Sequence, residues 1–458
     1  MRRLYNILFS LFFIGSVPYY FLKMWRRGNW RQGFGQRFGQ HGTRIKQALT
    51  NRHVVWMHAV SVGEVNVCTQ LIRALEPRAP NLKIVVSTTT STGMSELQKR
   101  LPHHIEKIYY PIDRRKCVDR ALRTIDPEAV VLVEAEIWPN FLWRIADKKI
   151  PIFLVNARMS ERSYRGYKRF AFLFRPIFAS FTGIGVQNEI DAQRMRELGC
   201  RSEAVHVVGN LKFDAARLDE RPLLDVSVLF GQLNVPEGAR ILVGGSTHDG
   251  EEAILADLFL RLRKRFPDIF LILVPRHFER GKAVGKELSE RGIKHVYRTE
   301  IGTATQFKPR EVECLLVNTT GELKYFYEPA AVIFVGKSLT AEGGQNPIEP
   351  GALGKAIVFG PNMQNFKAIA AAFVANRGAV QVQNVAELEQ AFVELLSDPK
   401  RRLELGRNAL KVVKENLGSI ERTVEMIVKH LHGEEVYVAP RPEQLSSSAT
   451  RGRESNES

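Results

Sequence analysis

Seven short apolar runs between residues 53 and 208 alternate with stretches of helical period. The runs are 53–58, 82–88, 107–110, 129–134, 151–155, 183–187 and 204–208, with amphipathic stretches at 64–75, 92–100, 114–125 and 189–198. Strands apolar on both faces and joined by crossover helices mark a doubly wound parallel sheet. A second set starts at Ile241, with runs near 241–244, 269–274, 295–297, 314–317, 331–335 and 356–359. Residues 386–432 then read as helix almost throughout. Between the two sets, 214–238 is charged, Pro/Gly-punctuated and without a period, as expected of an interdomain linker. With 458 residues, 44% of them hydrophobic, the chain can bury two cores. The predicted fold is α/β: two Rossmann-like domains, 31–213 and 239–435, facing across a cleft. The tail, 436–458, reads as disordered.

Residues 1–30 differ in character. Leu4 to Leu22 carries no charge, Arg2 and Arg3 precede it, and Lys23, Arg26, Arg27 and Arg31 follow. Nineteen helical residues reach about 28 Å, enough for the hydrocarbon core. No small-residue cleavage site follows, so an uncleaved membrane anchor is expected. Pro18, Asn6 and the cluster Tyr19–Tyr20–Phe21 leave an interfacial helix open as the alternative. The heavier basic flank is C-terminal, which places the body on the cytoplasmic side. Lys plus Arg number 66 against 49 acids, a formal charge of +17, so an anionic partner is expected. No RRM, KH or helix-turn-helix pattern points to nucleic acid. The four cysteines are far apart with no CxxC pair, which fits free thiols and excludes a cysteine zinc site.

Chemistry in open α/β sheets gathers at the carboxyl ends of the strands. "WMHAVSVGEVN" (56–66) puts Glu64 where a strand hands over to a helix. A glutamate there also simply complements the helix dipole. "VVLVEAEIWPN" (130–140) sends Glu134 and Glu136 from a buried strand at alternate positions, which would point them the same way. Paired carboxylates can bind a metal, but no Asp-x-Asp occurs in the chain, so no metal is expected. "VVGNLKFD" ends in Lys212, a point cation suited to a phosphate oxygen or simply a solvated lysine.

The second domain offers similar junctions. "ILVGGSTHDGEE" (241–252) is a turn entering a helix, a cradle of N–H groups for phosphate. It lacks both the GxGxxG and the GxxxxGK[ST] spacing, so neither a dinucleotide nor an ATP cofactor is indicated. "LILVPRHFER" ends a strand with Pro275 and Arg276, "NTTGELKYFY" gives a polar turn at Gly321, Glu322 and Leu323, and "GGQNPIEPGALG" supplies Asn346, Pro347, Ile348 and Glu349. Together they describe a nucleotide site. Separately, "MSERSYRGYKRFAFLFRPIF" (159–178) holds five basic residues, one acid and six aromatics. Tyr167, Phe170, Phe174 and Ile177 would make one apolar face, with Arg165, Lys168, Arg169 and Arg175 around it. Such a helix either packs in the core or lies on anionic lipid.

Eight stretches, "HAVSVGEV", "STTTSTG", "VEAEIWPN", "NARMSERS", "VGNLKFD", "GSTHDGEE", "VPRHFER" and "GGQNPIEP", resemble the 3-deoxy-D-manno-oct-2-ulosonic acid (Kdo) transferases of lipopolysaccharide synthesis. The resemblance runs in the family's order to about residue 430. It implies a GT-B glycosyltransferase at the cytoplasmic face of the cell inner membrane, moving Kdo from CMP-Kdo to a lipid A precursor (lipid IVA). It further implies Glu64 as the base of an inverting, metal-independent transfer, with Lys212 offsetting leaving-group charge. Glu134 would stabilise the oxocarbenium-like centre, with Glu136 the second choice. Pro275, Arg276, Gly321 to Leu323 and Asn346 to Glu349 would hold CMP, and Arg165, Lys168 and Arg169 would face the acceptor or membrane. A related membrane-associated GT-B enzyme using a UDP-sugar is the enzymatic alternative. A membrane-anchored nucleic-acid or lipid scaffold is the non-enzymatic one.

Overall fold

The computed structural model describes residues 2–26, 33–134, 137–214 and 224–431. The chain divides into two compact units, one of residues up to 215 together with 417 onward, the other of residues 216–416. Each is a seven-stranded parallel sheet wrapped by helices.

In the first unit the strands are β1 (His53–His58), β2 (Leu82–Thr88), β3 (Glu106–Tyr109), β4 (Ala129–Val133), β5 (Ile152–Ala157), β6 (Gly183–Val186) and β7 (Val205–Val207). They lie in the order β3-β2-β1-β4-β5-β6-β7. The chain winds one way from β1 to β3 and the other way from β4 to β7. The reversal leaves a crevice at the carboxyl ends of β1 and β4, which pair directly, His58 opposite Leu132. One face of the sheet packs under the helices Arg115–Ile125, Pro139–Asp147 and Ala171–Phe178. The other packs under Val62–Leu75 and under Ser419–Val428, whose Ile420, Val424 and Ile427 join Val55, Met57 and Val155. The expected end of the second domain at 435 is thus corrected: the last described helix belongs to the first unit. Asp214 fixes the return, since its carboxylate accepts the Gly418 and Ile420 N–H groups at 2.7 and 2.6 Å.

The second unit holds β8 (Arg240–Thr247), β9 (Ile269–Pro275), β10 (His295–Tyr297), β11 (Cys314–Leu316), β12 (Val332–Val335), β13 (Ala356–Phe359) and β14 (Val380–Gln381). Their order is β10-β11-β9-β8-β12-β13-β14, so the reversal falls between β8 and β12. β14 was not expected; two residues are too short to show a period. The expected linker also contains a helix, Val226–Gln232, fastened to this unit by the Phe307 N–H on the Gln232 carbonyl at 2.8 Å. Residues 215–223 of that linker, and the tail from 432, lie outside the described residues.

A helix does form at the N-terminus, over Arg2–Arg26 with Pro18 inside it. Among the described residues, however, no helix is long and apolar enough to cross a membrane. The expected spanning anchor is therefore not supported. Its first turns are spent on the body instead. Arg2 makes a bidentate pair with Asp147 at 2.8 and 3.0 Å, and the Tyr5 hydroxyl donates to the buried Asp113 at 2.7 Å. Tyr5 also meets the edge of Trp143, with centroids 5.5 Å apart. Leu4, Ile7, Leu8, Leu11, Phe12 and Ile14 remain exposed.

Candidate active site

Glu64 stands beside the reversal point of the first sheet. Ser61 caps the helix Val62–Leu75, its hydroxyl accepting the Glu64 N–H at 3.2 Å and donating to the Glu64 carboxylate at 2.8 Å. The other carboxylate oxygen accepts the Val60 N–H at 2.8 Å. Both contacts are local, and the side chain is only half-buried. A carboxylate has about four acceptor positions, and these two bonds fix the orientation of this one.

The turn is braced from the next strand. The Val60 carbonyl accepts the Thr90 hydroxyl at 3.1 Å, and Thr90 caps the helix Ser91–Arg100 by taking the Gly93 N–H at 3.0 Å. A Cβ on Gly93 would lie 2.3 Å from Thr88 Oγ1 and 2.9 Å from the Val60 oxygen. The glycine of "STTTSTG" thus lets one loop touch the loop that carries Glu64. His58, at the end of β1, is fully buried, and burial holds its ring neutral by lowering its pKa to about 3. Its Nδ1 lies 2.9 Å from the Ser87 hydroxyl, and the ring stacks on Tyr110 at 4.0 Å.

Glu134 follows β4 in a left-handed conformation, φ 65°, and Asn156, the fifth residue of β5, has φ 53°. Non-glycine residues in this region cost about 1–3 kcal/mol and gather at functional sites. Here their side chains meet. Glu134 accepts from the Asn156 amide at 3.4 Å, pairs with Lys212 Nζ at 3.1 Å and lies 3.7 Å from Arg158. Asn156 also accepts the Leu211 N–H at 3.1 Å, which ties the loop of Lys212 to β5. The structure thus brings Glu134 and Lys212 together. It also corrects the alternation argument, because β4 stops at Val133 and Glu134 leaves the extended conformation. Glu136 lies outside the described residues.

In the second unit, the expected donor residues come from the carboxyl ends of β9, β11 and β12. Pro275 closes β9, and the Arg276 N–H bonds the Thr247 carbonyl at 3.0 Å. Asn346 donates to the Glu349 carboxylate at 3.1 Å and accepts the Ile348 N–H at 3.1 Å. Burial pushes the Glu349 carboxyl above its ordinary pKa, while Asn346, Lys324 and Arg276 act to lower it. Arg276 and Glu349 therefore sense each other. The helix after Pro347 is only five residues long. Gly321 takes φ 91°, and Leu323 opens a short helix. Glu322 is held apart from this pair by Arg298 at 3.2 Å and by Thr319.

Glu251 is what the sequence reading missed. Fully buried at the start of the helix Glu251–Arg265, it accepts the N–H groups of His248 and Lys337 on one oxygen, at 2.9 and 2.7 Å. The other oxygen accepts Ser338 and Leu339, at 2.9 and 3.0 Å. It ties the loop after β8 to the loop after β12, across the reversal point. The turn expected to cradle phosphate therefore already spends one of its N–H groups on its own glutamate.

The stretch 159–178 is two helices, Glu161–Arg169 and Ala171–Phe178, and not one. Phe170 sits between them at φ −109°, ψ 35°. The break sends Ile177 inside and leaves Phe170 and Phe172 exposed, so Phe170 leaves the expected apolar face. Arg165 pairs with Glu161 at 2.8 Å and Lys168 with Glu197 at 3.3 Å, while Arg169 lies over the Phe170 ring at 5.8 Å.

Solved structures with this fold include a UDP-GlcNAc 2-epimerase from Neisseria meningitidis bound to UDP-GlcNAc, with a TM-score of 0.54, 14% identity and 82% of this chain and 100% of that one covered. Another is a glycosyltransferase from Rickettsia africae, with a TM-score of 0.52, 14% identity and 83% and 98% covered. The class is that of GT-B-like proteins with two parallel-sheet α/β domains. A profile of the family described as 3-Deoxy-D-manno-octulosonic-acid transferase (kdotransferase) matches residues 32–215. The 3-deoxy-D-manno-octulosonic acid transferase of Haemophilus influenzae is 30% identical over 406 residues, 88% of this chain and 92% of that one. That of Bordetella pertussis is 30% identical over 433 residues, 92% and 98% of the two chains. The chain belongs to the 3-deoxy-D-manno-octulosonic acid transferase family and is a glycosyltransferase.

Proposed function

We propose that the protein transfers Kdo from CMP-Kdo to a hydroxyl of lipid IVA, a phosphorylated lipid A precursor, in lipopolysaccharide synthesis. Family membership supports the sugar. The observation that carries the mechanism is the oriented, half-buried Glu64 carboxylate at the reversal point of the first sheet. Glu64 takes the proton of the acceptor hydroxyl as that oxygen bonds the anomeric carbon from one face. The bond from that carbon to the phosphate oxygen breaks on the other face, and CMP leaves with the electron pair. The anomeric configuration inverts. Lys212 has three N–H donors and spends one on Glu134, so it can still offset the charge on a departing phosphate. Glu134 steadies the cationic sugar centre. Pro275, Arg276, Gly321 to Leu323 and Asn346 to Glu349 hold CMP, with Arg276 on phosphate and Glu349 on ribose hydroxyls.

The same reading lays the helix Arg2–Arg26 along the cytoplasmic face of the inner membrane. Its support is that the first turns bond the body while Leu8, Leu11 and Phe12 stay 57–65% exposed. Phe170, Phe172 and Arg169 would add to this surface. Leu8→Glu with Phe12→Glu should lower binding to anionic vesicles about tenfold; unchanged binding would remove the helix from the membrane. The reaction is tested with purified protein, lipid IVA and radiolabelled CMP-Kdo or UDP-sugars. Label should reach the lipid from CMP-Kdo alone. Transfer from a UDP-sugar instead would establish the alternative enzyme.

A further inference from the structure

A cavity of about 530 Å³ opens in the first unit between the loop Gly39–His41, the helix Thr43–Leu49 and the end of the helix Arg115–Ile125. The latter helix carries the chain from β3 to β4, so its last turn lies toward the amino ends of the strands. Glu64 and Glu134 lie at their carboxyl ends. The cavity is therefore outside the site described above. Its walls hold Lys46, Arg120 and Arg123 and no carboxylate, and none of the three cations forms an ion pair among the described residues.

His41 gives the second observation. It is 7% exposed, lines the same cavity, and neither ring nitrogen has a hydrogen-bond partner among the described residues. Burial first, and Lys46 second, lower its pKa to about 4, so the ring is neutral, with one donor and one acceptor. A buried polar group without a partner costs free energy that a ligand can return. The geometry holding it there is specific. Gly39 has φ 75°, and a Cβ on it would fall 2.3 Å from the Cys117 carbonyl oxygen and 2.9 Å from Arg120 Cβ. The loop carrying His41 is thereby pressed onto the helix carrying Arg120.

We propose that this cavity binds a phosphate monoester, with Lys46, Arg120 and Arg123 neutralising its charge and His41 donating one N–H. The volume admits a phosphate and the small group it esterifies. The competing account is that Lys46 and Arg123, each in the last turn of its helix, serve only the helix dipole. That account leaves Arg120 and the unpartnered imidazole unexplained.

The test uses the full-length protein in detergent with saturating CMP, so that nucleotide sites are filled. Inorganic phosphate is titrated calorimetrically into wild type, into Arg120→Gln with Arg123→Gln, and into His41→Gln, with melting temperatures checked in parallel. A second arm measures flotation with phosphatidic acid vesicles against phosphatidylcholine vesicles. The double variant should bind phosphate, or phosphatidic acid vesicles, about tenfold or more weakly, and His41→Gln, which keeps a donor, should lose less. Loss in the first arm identifies a soluble phosphate ester as the ligand; loss in the second alone identifies a lipid headgroup. Equal binding by wild type and double variant in both arms overturns the proposal, as does wild type that binds neither probe.

Discussion

Glu64 and Glu251 look alike in the chain. Each follows a glycine at the end of the first strand of a doubly wound sheet, in "SVGEV" and "HDGEE". Their surroundings separate them. Glu64 is half-buried and takes bonds from Val60 and Ser61 of its own turn, whereas Glu251 is sealed under four N–H groups from two loops. A half-buried carboxylate can take a proton. One with every position filled can only hold a scaffold. The difference is made by the second loop, since nothing in the residues next to Glu251 announces that 337–339 will arrive over it.

The largest effect should come from breaking the scaffold. Glu251→Ala leaves four N–H groups without their acceptor and should destabilise the second unit by about 3–5 kcal/mol, with CMP binding lost. Calorimetric melting and CMP titration check this, and a variant unchanged in both would show that the loops hold without it. Next, Lys212→Met leaves Glu134 with Arg158 as its remaining cation and should slow transfer about 10²-fold, with the melting temperature nearly kept. A drop confined to the acceptor KM would move Lys212 out of the chemical step.

A smaller effect sharpens the Glu64 side. Gly93→Ala forces a methyl group against Thr88 and the Val60 carbonyl, so the turn holding Glu64 must shift. Turnover should fall about tenfold while CMP affinity stays. If CMP affinity fell instead, Gly93 would be supporting something other than the Glu64 turn.

The smallest effect concerns pH. His58 and His41 have folded pKa values lowered to about 3 and 4, against about 6.5 in the unfolded chain. Below about 6.5 the unfolded chain binds protons that the folded one refuses. Their contribution to stability is therefore complete above that pH and is lost as pH falls toward 4. Urea unfolding should show a decline of about 1–3 kcal/mol between pH 7 and 5.5, reduced in His58→Gln. A wild-type curve flat over that window would mean that both rings take up protons in the folded protein as readily as in the unfolded chain.

Most of the fold was legible because its signals are local. The runs at 53–58, 82–88, 295–297 and 356–359 are strands with those bounds. What escaped depends on distant partners. The apolar period of 419–428 is plain, but nothing local says that Ile427 will pack beneath the first sheet instead of the second. Likewise Glu134 reads as one more strand residue, and its left-handed φ arises only where Asn156, Arg158 and Lys212 converge. Strand ends pointed to Glu64, whereas the turn holding Glu251 was legible only as a cradle of N–H groups for phosphate.

Everything proposed for the reaction turns on Glu64 as the base of glycosyl transfer, with its capping bonds merely orienting it. Glutamine keeps the shape, its one amide oxygen can still accept the Val60 N–H while its NH2 donates to the Ser61 hydroxyl, and it cannot take a proton. Single-turnover Kdo transfer by Glu64→Gln, measured beside CMP-Kdo affinity and melting temperature, isolates that function. With Glu64 as the base, transfer should slow by about 10²-fold or more, with affinity and melting temperature close to wild type. A variant that transfers Kdo at near the wild-type rate, or one whose lost activity tracks a lost fold, would contradict it and leave Glu64 as a helix cap.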